Sequence, residues 1–423
     1  MFQTTILKNG IKVITKNLRE AQTIYVEVYV AAGSKYCHLK KEGLAHFLEH
    51  VVMNGSKKYP DTLLVKRKIE EIGGSISAVT GKERVGYWIK VARGDLEKGL
   101  DVLLSLVSDP LLEDGELGGE KKIVLEEIAK AEDNVEKRVS KAFFSLAFGG
   151  HPLGVPGLGY PESLMGIGYE DVSGFYRDYY VAPNITVCAS GRLDHDKLVK
   201  LAETGLQNLG ETSPPAYVPF VSGKTGPKVV VLEERGQQAR ALLGFLYQPR
   251  TFRDYILNLF IAHLLWSKDR LYARVREKEK LAYDIRPYVN RFQDSSFLAV
   301  YGGFNYEKVG RALNSILEEL ASLKHNSVGS QELDKIKKLM EVGLLFELEV
   351  PKGWVDFALD WYNLVGKVVE PEEFVEEVYK VKAEDVLNLA KEIFVPERAY
   401  LSVTHGEMKP SDFEKIISEK LGS

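Results

Sequence analysis

Residues 184–194 read NITVCASGRLD, and residues 398–410 read RAYLSVTHGEMKP. Each is an apolar, β-branched run that ends on a glycine and gives way to charged residues, the pattern of a buried strand leading into a turn. Working back from the first, residues 3–16 and 23–32 alternate like strands, and 42–54 is an apolar helical segment stopped by Gly55. Residues 75–92 read as a hairpin or one long strand, 95–108 and 116–135 as helices, 149–161 as a Gly/Pro-rich loop, and 169–180 as a helix entering the quoted strand. Working back from the second, 227–234 and 240–248 are strands, 253–276 is helix, 281–289 and 295–304 are strands, and 306–323, 329–346 and 370–393 are helices. A short helix ends the chain. The order repeats, so the expected fold is α+β: a tandem duplication of a unit of about 200 residues, in which helices cover an antiparallel-rich sheet. The expected domains are 1–215 and 225–423, with the seam in the Pro-, Gly-, Ser- and Thr-rich stretch 208–226.

The chain has 423 residues, 45% apolar and 27% charged, with a formal charge of −4. That is ordinary globular composition and excludes wholesale disorder or a collagen-like repeat. The charge balance lacks the basic excess of a nucleic-acid binder. No run of 18 apolar residues suggests a membrane span, and the alternating start MFQTTILKNGIKVITKN is unlike a signal peptide. A cytoplasmic location is therefore expected, with no nucleic-acid or membrane partner. Cys37 and Cys188 are far apart, which excludes a disulfide framework or a Cys-rich zinc site.

Two of the eight histidines stand four apart with a glutamate between them: His46-Phe47-Leu48-Glu49-His50. On a helix, positions i and i+4 share a face, so both imidazoles reach one ion. Glu49 is placed to hold a water beside that ion and to exchange protons with it. The order is H-x-x-E-H, the inverzincin pattern. The surrounding segment, Gly43 to Met53, is otherwise apolar and reads as a buried helix whose three polar side chains need partners.

A catalytic zinc takes three protein ligands and leaves one position open. The helix ELGGEKKIVLEEIAKAED (116–133) offers two adjacent candidates. Glu126 shares its face with Lys122, Lys130 and Asp133, a solvated stripe, whereas Glu127 lies with Glu120, Val124, Ile128 and Ala131 on the more apolar one. A carboxylate on the buried stripe is the one that needs a cation, so Glu127 is the expected third ligand. Glu120, two turns earlier on that stripe, is placed to orient a ligand histidine.

With these residues in hand, the sequence resembles the insulinase/pitrilysin family of zinc peptidases, and within it the short bacterial members similar to mitochondrial processing peptidase. The family follows H-x-x-E-H after about 76 residues with a ligand glutamate, and here 76 residues separate His50 from Glu127. Glu120-Lys-Lys-Ile-Val-Leu-Glu-Glu127-Ile resembles the family's E-R-x-x-V-x-x-E-I. The blocks LKNGIKVI, AAGSKY, GLAHFLEHVVMNGSKKYP, HPLGVPGLGYPESL and FYRDYYVAPNITVCASG extend the likeness nearly end to end, and Arg276-Glu-Lys-Glu-Lys-Leu-Ala-Tyr283 is similar to R-E-K-x-G-L-A-Y.

The resemblance implies two structurally similar α/β sandwich-like domains facing each other across a cleft, with the first zinc-binding and catalytic and the second substrate-binding. It implies a metalloendopeptidase with one zinc ion per chain, held by His46, His50 and Glu127, with Glu49 as the base. Arg276 and Tyr283 are then the pair that meets the substrate, and Ser77, Ala78, Val79 and Thr80 form an edge strand for an extended peptide. The substrates would be unfolded peptides or small polypeptides, as for a processing peptidase. Ser77 stands where the family often has asparagine, and the bulky, charged stretch Leu265–Leu271 (LWSKDRL) where relatives often carry glycines. The implied assembly is a homodimer or a heterodimer with a sister subunit. The alternative is a non-catalytic binding or assembly subunit, but such relatives generally lose the zinc motif, which is intact here.

Overall fold

The computed structural model describes residues 1–223, 225–234 and 238–422. Lys224, in the expected seam, lies outside the described residues. Six strands, β1 (Gln3–Ile6), β2 (Lys12–Asn17), β3 (Thr23–Val30), β4 (Ser75–Thr80), β5 (Val85–Ala92) and β6 (Ile185–Gly191), form one sheet in the order β1-β2-β6-β3-β5-β4. Five more, β7 (Lys228–Leu232), β8 (Gln238–Tyr247), β9 (Ala282–Arg291), β10 (Ser296–Asn305) and β11 (Ala399–Thr404), form a second in the order β7-β11-β8-β10-β9. Apart from β1 the two orders are the same. Each sheet has one parallel pair, β2 with β6 and β7 with β11, and is otherwise antiparallel. The strands quoted at the outset, β6 and β11, occupy the same place in their sheets, so the expected α+β duplication is the observed architecture.

Strand β3 shows why the first sheet needs cover on both faces. Its sequence TIYVEVYV alternates aliphatic residues with Tyr25, Glu27 and Tyr29, and almost all of it is buried. Ile24, Val26, Val28 and Val30 enter a core shared with helices α1 (Leu44–Asn54) and α3 (Leu96–Ser108). Tyr25 and Tyr29 pack with Val355, Ala358 and Leu359 of the helix Pro351–Val365. Full burial of such side chains contributes about 1.5–3 kcal/mol each.

By compactness the chain divides into residues 1–131, 155–218 and 346–370 in one unit, and 132–154, 219–345 and 371–423 in the other. This differs from contiguous domains of 1–215 and 225–423. Helix α5 (Val135–Phe148), from the first half of the sequence, buries Val139 and Phe143 with Leu242, Leu246 and Phe297 of the second sheet. The helix Pro351–Val365, from the second half, covers the first sheet. The cover for the second face of each sheet is thus distant in sequence, and no local pattern announces it.

Other differences have local causes. The helix expected over 116–135 is α4 (Leu117–Asp133) followed by α5, divided at Asn134, whose side chain accepts from the Lys137 amide as a helix cap. The stretch 253–276 is a helix from Phe252 to Trp266 and then a π-helical turn from Tyr272 to Lys278. Helix α2 (Thr62–Glu70) and the helix Pro351–Val365 fall in stretches that carried no expectation, although Pro351 at the first turn and Gly366 (φ +73°) at the end are ordinary helix boundaries.

Helix α1 follows Gly43, which sits at φ +90° and so close to the 149–161 loop that a Cβ would lie 2.5 Å from the Leu158 carbonyl oxygen. Leu44, Ala45, Phe47, Leu48, Val51 and Val52 are buried, which leaves His46, Glu49 and His50 together on the remaining face. No helix among the described residues is long and apolar enough to cross a membrane.

Candidate metal centre

The free face of α1 looks toward α4. His46 Nε2 lies 3.5 Å, and His50 Nε2 3.7 Å, from the same Glu127 oxygen, Oε2. One donor atom from each of the three residues lies within 4.8 Å of the others. Zinc with bonds of about 2.0–2.2 Å holds tetrahedral ligands about 3.3–3.5 Å apart. The observed spacings meet that after small side-chain rotations, and two imidazoles with a carboxylate suit zinc chemically. The three residues therefore fit the ion.

Glu127 itself is 39% exposed, while Val124 and Ile128 on its stripe are buried. Glu120 is the more buried carboxylate, at 15%, and its Oε2 lies 3.3 Å from His50 Nδ1. That contact presents the opposite ring nitrogen, Nε2, toward Glu127. His46 Nδ1 is buried and has no hydrogen-bond partner among the described residues. Burial, reinforced by neighbouring His50, holds the His46 imidazole down to about 4. It is therefore neutral at pH 7, the form that can donate a lone pair to a metal.

Glu49 sits beside this cluster without belonging to it. Burial pushes its carboxyl above the usual carboxylate range and nearby Glu127 adds to the shift, while the Thr80 hydroxyl and His50 oppose it. The Thr80 hydroxyl donates to Glu49 Oε2. A half-buried carboxylate whose proton affinity is raised, next to a cluster that could hold a metal ion, can take up and release a proton.

The segment 77–80 lies on β4, which pairs with β5 on one side and is an edge of its sheet on the other. Ile76 and Ala78 pack against the core, and Thr80 continues their face toward α1. Ser77 and Val79 alternate with them.

Arg276 and Tyr283 belong to the other compact unit. Arg276 is exposed on the π-helical turn, its guanidinium carbon 5.0 Å from the centre of the Tyr272 ring. Tyr283 stands in a β-bulge: Ala282 pairs with Phe304 and Asp284 with Gly303, so Tyr283 has no opposite residue and is 53% exposed. The Asp284 carboxylate pins that bulge through Oδ1, which accepts from the Gly303 amide at 2.9 Å and from Arg240 Nη1 at 2.9 Å.

Reading the sequence did not single out the Thr80–Glu49 bond or the Asp284 clamp. For the first, the alternation of β4 was visible but not its distance to α1. For the second, the only sequence signal was the Gly302-Gly303 pair inside a strand, a known mark of a bulge.

Residues 12–160 match the family model described as insulinase (peptidase family M16), and residues 166–340 match the one described as peptidase M16 inactive domain. A protein of Rickettsia felis named as an uncharacterized zinc protease is 27% identical over 400 residues, 93% of this chain and 95% of its own. Another so named, from Bacillus subtilis, is 27% identical over 418 residues, 97% of this chain and all (100%) of its own. The solved structure of a protease from Helicobacter pylori aligns with a TM-score of 0.86 at 21% identity, covering 96% of this chain and 99% of that one. A chain of complex III from Candida albicans aligns with a TM-score of 0.86 at 20% identity, covering 98% and 99%. These two structural likenesses are of fold. His46, Glu49, His50, Glu120 and Glu127 all fall inside the stretch matched by the insulinase model.

Proposed function

Because the chain belongs to the insulinase family of peptidases, family M16, we propose that it is a zinc-dependent metalloendopeptidase acting on unfolded peptides or small polypeptides. The observation that carries this reading is the convergence of His46, His50 and Glu127 on one point, with Glu49 beside them. The retention of all four residues in the part that matches the insulinase model favours catalysis over a non-catalytic assembly role; the inactive-domain match covers 166–340, which contains none of them.

His46 and His50 offer their Nε2 atoms and Glu127 a carboxylate oxygen to the ion. Zinc bound there would supply a Lewis acid and lower the pKa of a water to about 7 in favourable sites. Glu49 takes the proton of the attacking water on its carboxylate and gives it to the departing amine nitrogen. Glu120 holds the His50 ring through Nδ1, and Thr80 holds the Glu49 carboxylate through Oε2. The open edge of β4 takes the extended substrate by strand addition, with Ser77, Ala78, Val79 and Thr80 alongside it. Arg276 and the exposed Tyr283 carry donors for a peptide, the substrate-binding role proposed for this pair. A homodimer is the expected assembly and a heterodimer with a sister subunit the alternative; light scattering of the purified chain would give twice the chain mass for the first and the mass of a single chain for the second.

The test is mass-spectrometric mapping of cleavage in a peptide library, with and without chelator, beside metal analysis of the purified chain. Internal cleavage that chelator abolishes and zinc restores supports the proposal. Absence of cleavage from a zinc-loaded chain would turn the reading toward a non-catalytic subunit.

A further inference from the structure

The segment Lys268–Lys280 is strongly basic in a chain whose overall charge is negative. It holds six basic side chains against three acidic ones, while the whole chain carries −4. The structure sorts four of those cations into two kinds. Arg270 is neutralised internally: Nε and Nη2 meet Glu332 at 2.7 and 2.6 Å, and Nη1 meets Glu319 at 2.9 Å. Arg274 is likewise engaged, with Glu279 at 3.3 Å and with Glu318. Lys268 and Arg276 are exposed and form no ion pair among the described residues. Both lie against one ring, with Lys268 Nζ 3.7 Å and the Arg276 guanidinium carbon 5.0 Å from the centre of Tyr272.

Lys268 lies in the turn before the π-helical segment and Arg276 within it, yet both reach the Tyr272 ring, while Arg270 and Arg274 turn to the carboxylates of Glu318, Glu319 and Glu332. The two cations on Tyr272 are held within about 9 Å of each other, about the screening length in physiological salt, so their mutual repulsion is weak there and grows at low salt. Cation–π attraction to the ring fixes both and offsets part of that repulsion. An anion arriving from outside would relieve the rest. The backbone beneath them is π-helical from Tyr272 to Lys278, a rare arrangement that is frequent at functional sites.

We propose that Lys268, Tyr272 and Arg276 form a recognition face for a carboxylate carried by the peptide substrate. The carboxylate is that of an acidic side chain or that of a free C-terminus. The two share one chemistry, a planar anion that Arg276 can meet with paired N–H groups and Lys268 with a point charge. The inference rests on the peptidase reading only in taking the ligand to be a peptide. It assigns Lys268 and Tyr272 a part in choosing the substrate.

The experiment measures binding rather than cleavage. Fluorescence anisotropy with the full chain carrying Glu49→Gln compares three labelled peptides of one sequence: a central Glu with an amidated C-terminus, a central Gln with an amidated C-terminus, and a central Gln with a free C-terminus. At low salt, one or both carboxylate-bearing peptides should bind about fivefold tighter than the neutral one, the size expected of exposed charge pairs. The preference should fade as salt rises. It should fall toward one in Lys268→Gln and in Tyr272→Leu, and persist in Lys415→Gln, which removes an exposed lysine of the last helix. Circular dichroism shows whether each variant is folded. Equal binding of all three peptides, or a preference that survives Lys268→Gln in a folded chain, would overturn the proposal. A carboxylate preference in a chain whose wild type cleaves nothing would leave this recognition face standing and remove the peptidase reading instead.

Discussion

The Thr80 hydroxyl donates to the Glu49 carboxylate, tying the last residue of an open edge strand to the acid on α1. A peptide pairing with β4 would settle the strand that carries Thr80, so under the proposed mechanism substrate docking and the aim of Glu49 would share one hydrogen bond. Thr80→Val keeps the shape and removes the donor. Its expected effect is a fall in kcat of about tenfold, the worth of one hydrogen bond to a charged group, with KM and bound zinc little changed. Thr80→Ser should restore most of the rate. A change confined to KM, or no rescue by serine, would assign Thr80 to substrate contact or packing instead.

Glu49→Gln separates the base from the ligands. The amide nearly preserves the shape of the carboxylate but cannot take a proton, and Glu49 is not among the three groups placed to hold an ion. Zinc content by mass spectrometry should match wild type while peptide cleavage falls by about a hundredfold to ten-thousandfold. Full turnover with bound zinc would refute the role given to this residue.

The two carboxylates on α4 should differ in kind. Glu127 lies within 3.5 and 3.7 Å of both imidazole Nε2 atoms, whereas Glu120 reaches only His50 Nδ1, at 3.3 Å. Glu127→Ala is expected to remove tight zinc binding. Glu120→Gln should weaken it by about ten- to a hundredfold, the usual effect of losing a group that orients a ligand. Competition against a chromophoric chelator reads both, and equal losses would contradict the assignment.

The parts of this molecule legible in the sequence are those written by short-range periodicity. His46, Glu49 and His50 are neighbours on one turn, and the stripe that separates Glu127 from Glu126 is a property of one helix. Strands such as NITVCASG and AYLSVT are legible too, because a buried strand is apolar wherever it lies, but their order in the sheets is not written in any one run. The helix Pro351–Val365 is different: what makes it cover β3 is the outward pair Tyr25 and Tyr29, more than 300 residues earlier. The exposure of Tyr283 likewise comes from the pairing of β9 with β10. The Thr80–Glu49 bond needs a strand and a helix at the right separation, and no spacing along the chain encodes that.

Lys82 gives a pH dependence away from the metal cluster. Burial holds its amine down to about 8, and the amine donates to the Val155 carbonyl oxygen. The unfolded chain keeps the ordinary value of 10.5. Between about 8 and 10.5 the unfolded state therefore binds more protons than the folded state, and this residue makes stability rise with pH. Below about 8 both states are charged, and the full cost of burying the ammonium is present. Lys82→Met removes that cost along with one hydrogen bond. The difference in Tm between Lys82→Met and wild type, followed by calorimetry, should become less favourable to the variant as pH rises from 7.5 to about 10. A difference that stays flat over that range would show that Lys82 titrates normally.

The bulge that turns Tyr283 outward depends on a single carboxylate. Asp284 Oδ1 accepts from both the Gly303 amide and Arg240, and Arg240 spans from β8 across β10 to reach it. Without the carboxylate, regular pairing between β9 and β10 would compete with the bulge, and a one-residue slip sends a side chain to the opposite face. Asp284→Ala should cost about 1–3 kcal/mol in stability for the lost charge-assisted bonds. It should also alter peptide turnover beyond that loss, because Tyr283 is no longer held outward. Gly303→Ala reaches the same end from the other strand: its Cβ would lie 2.6 Å from Asp284 Oδ1 and 2.5 Å from Arg240 Nη1, forcing the clamp apart. Urea unfolding and steady-state cleavage, measured on both variants beside Tyr283→Phe, decide the matter. If Asp284→Ala loses stability but cleaves peptide like wild type, the bulge serves the sheet alone. If its turnover falls to the level of Tyr283→Phe, the clamp exists to aim that hydroxyl.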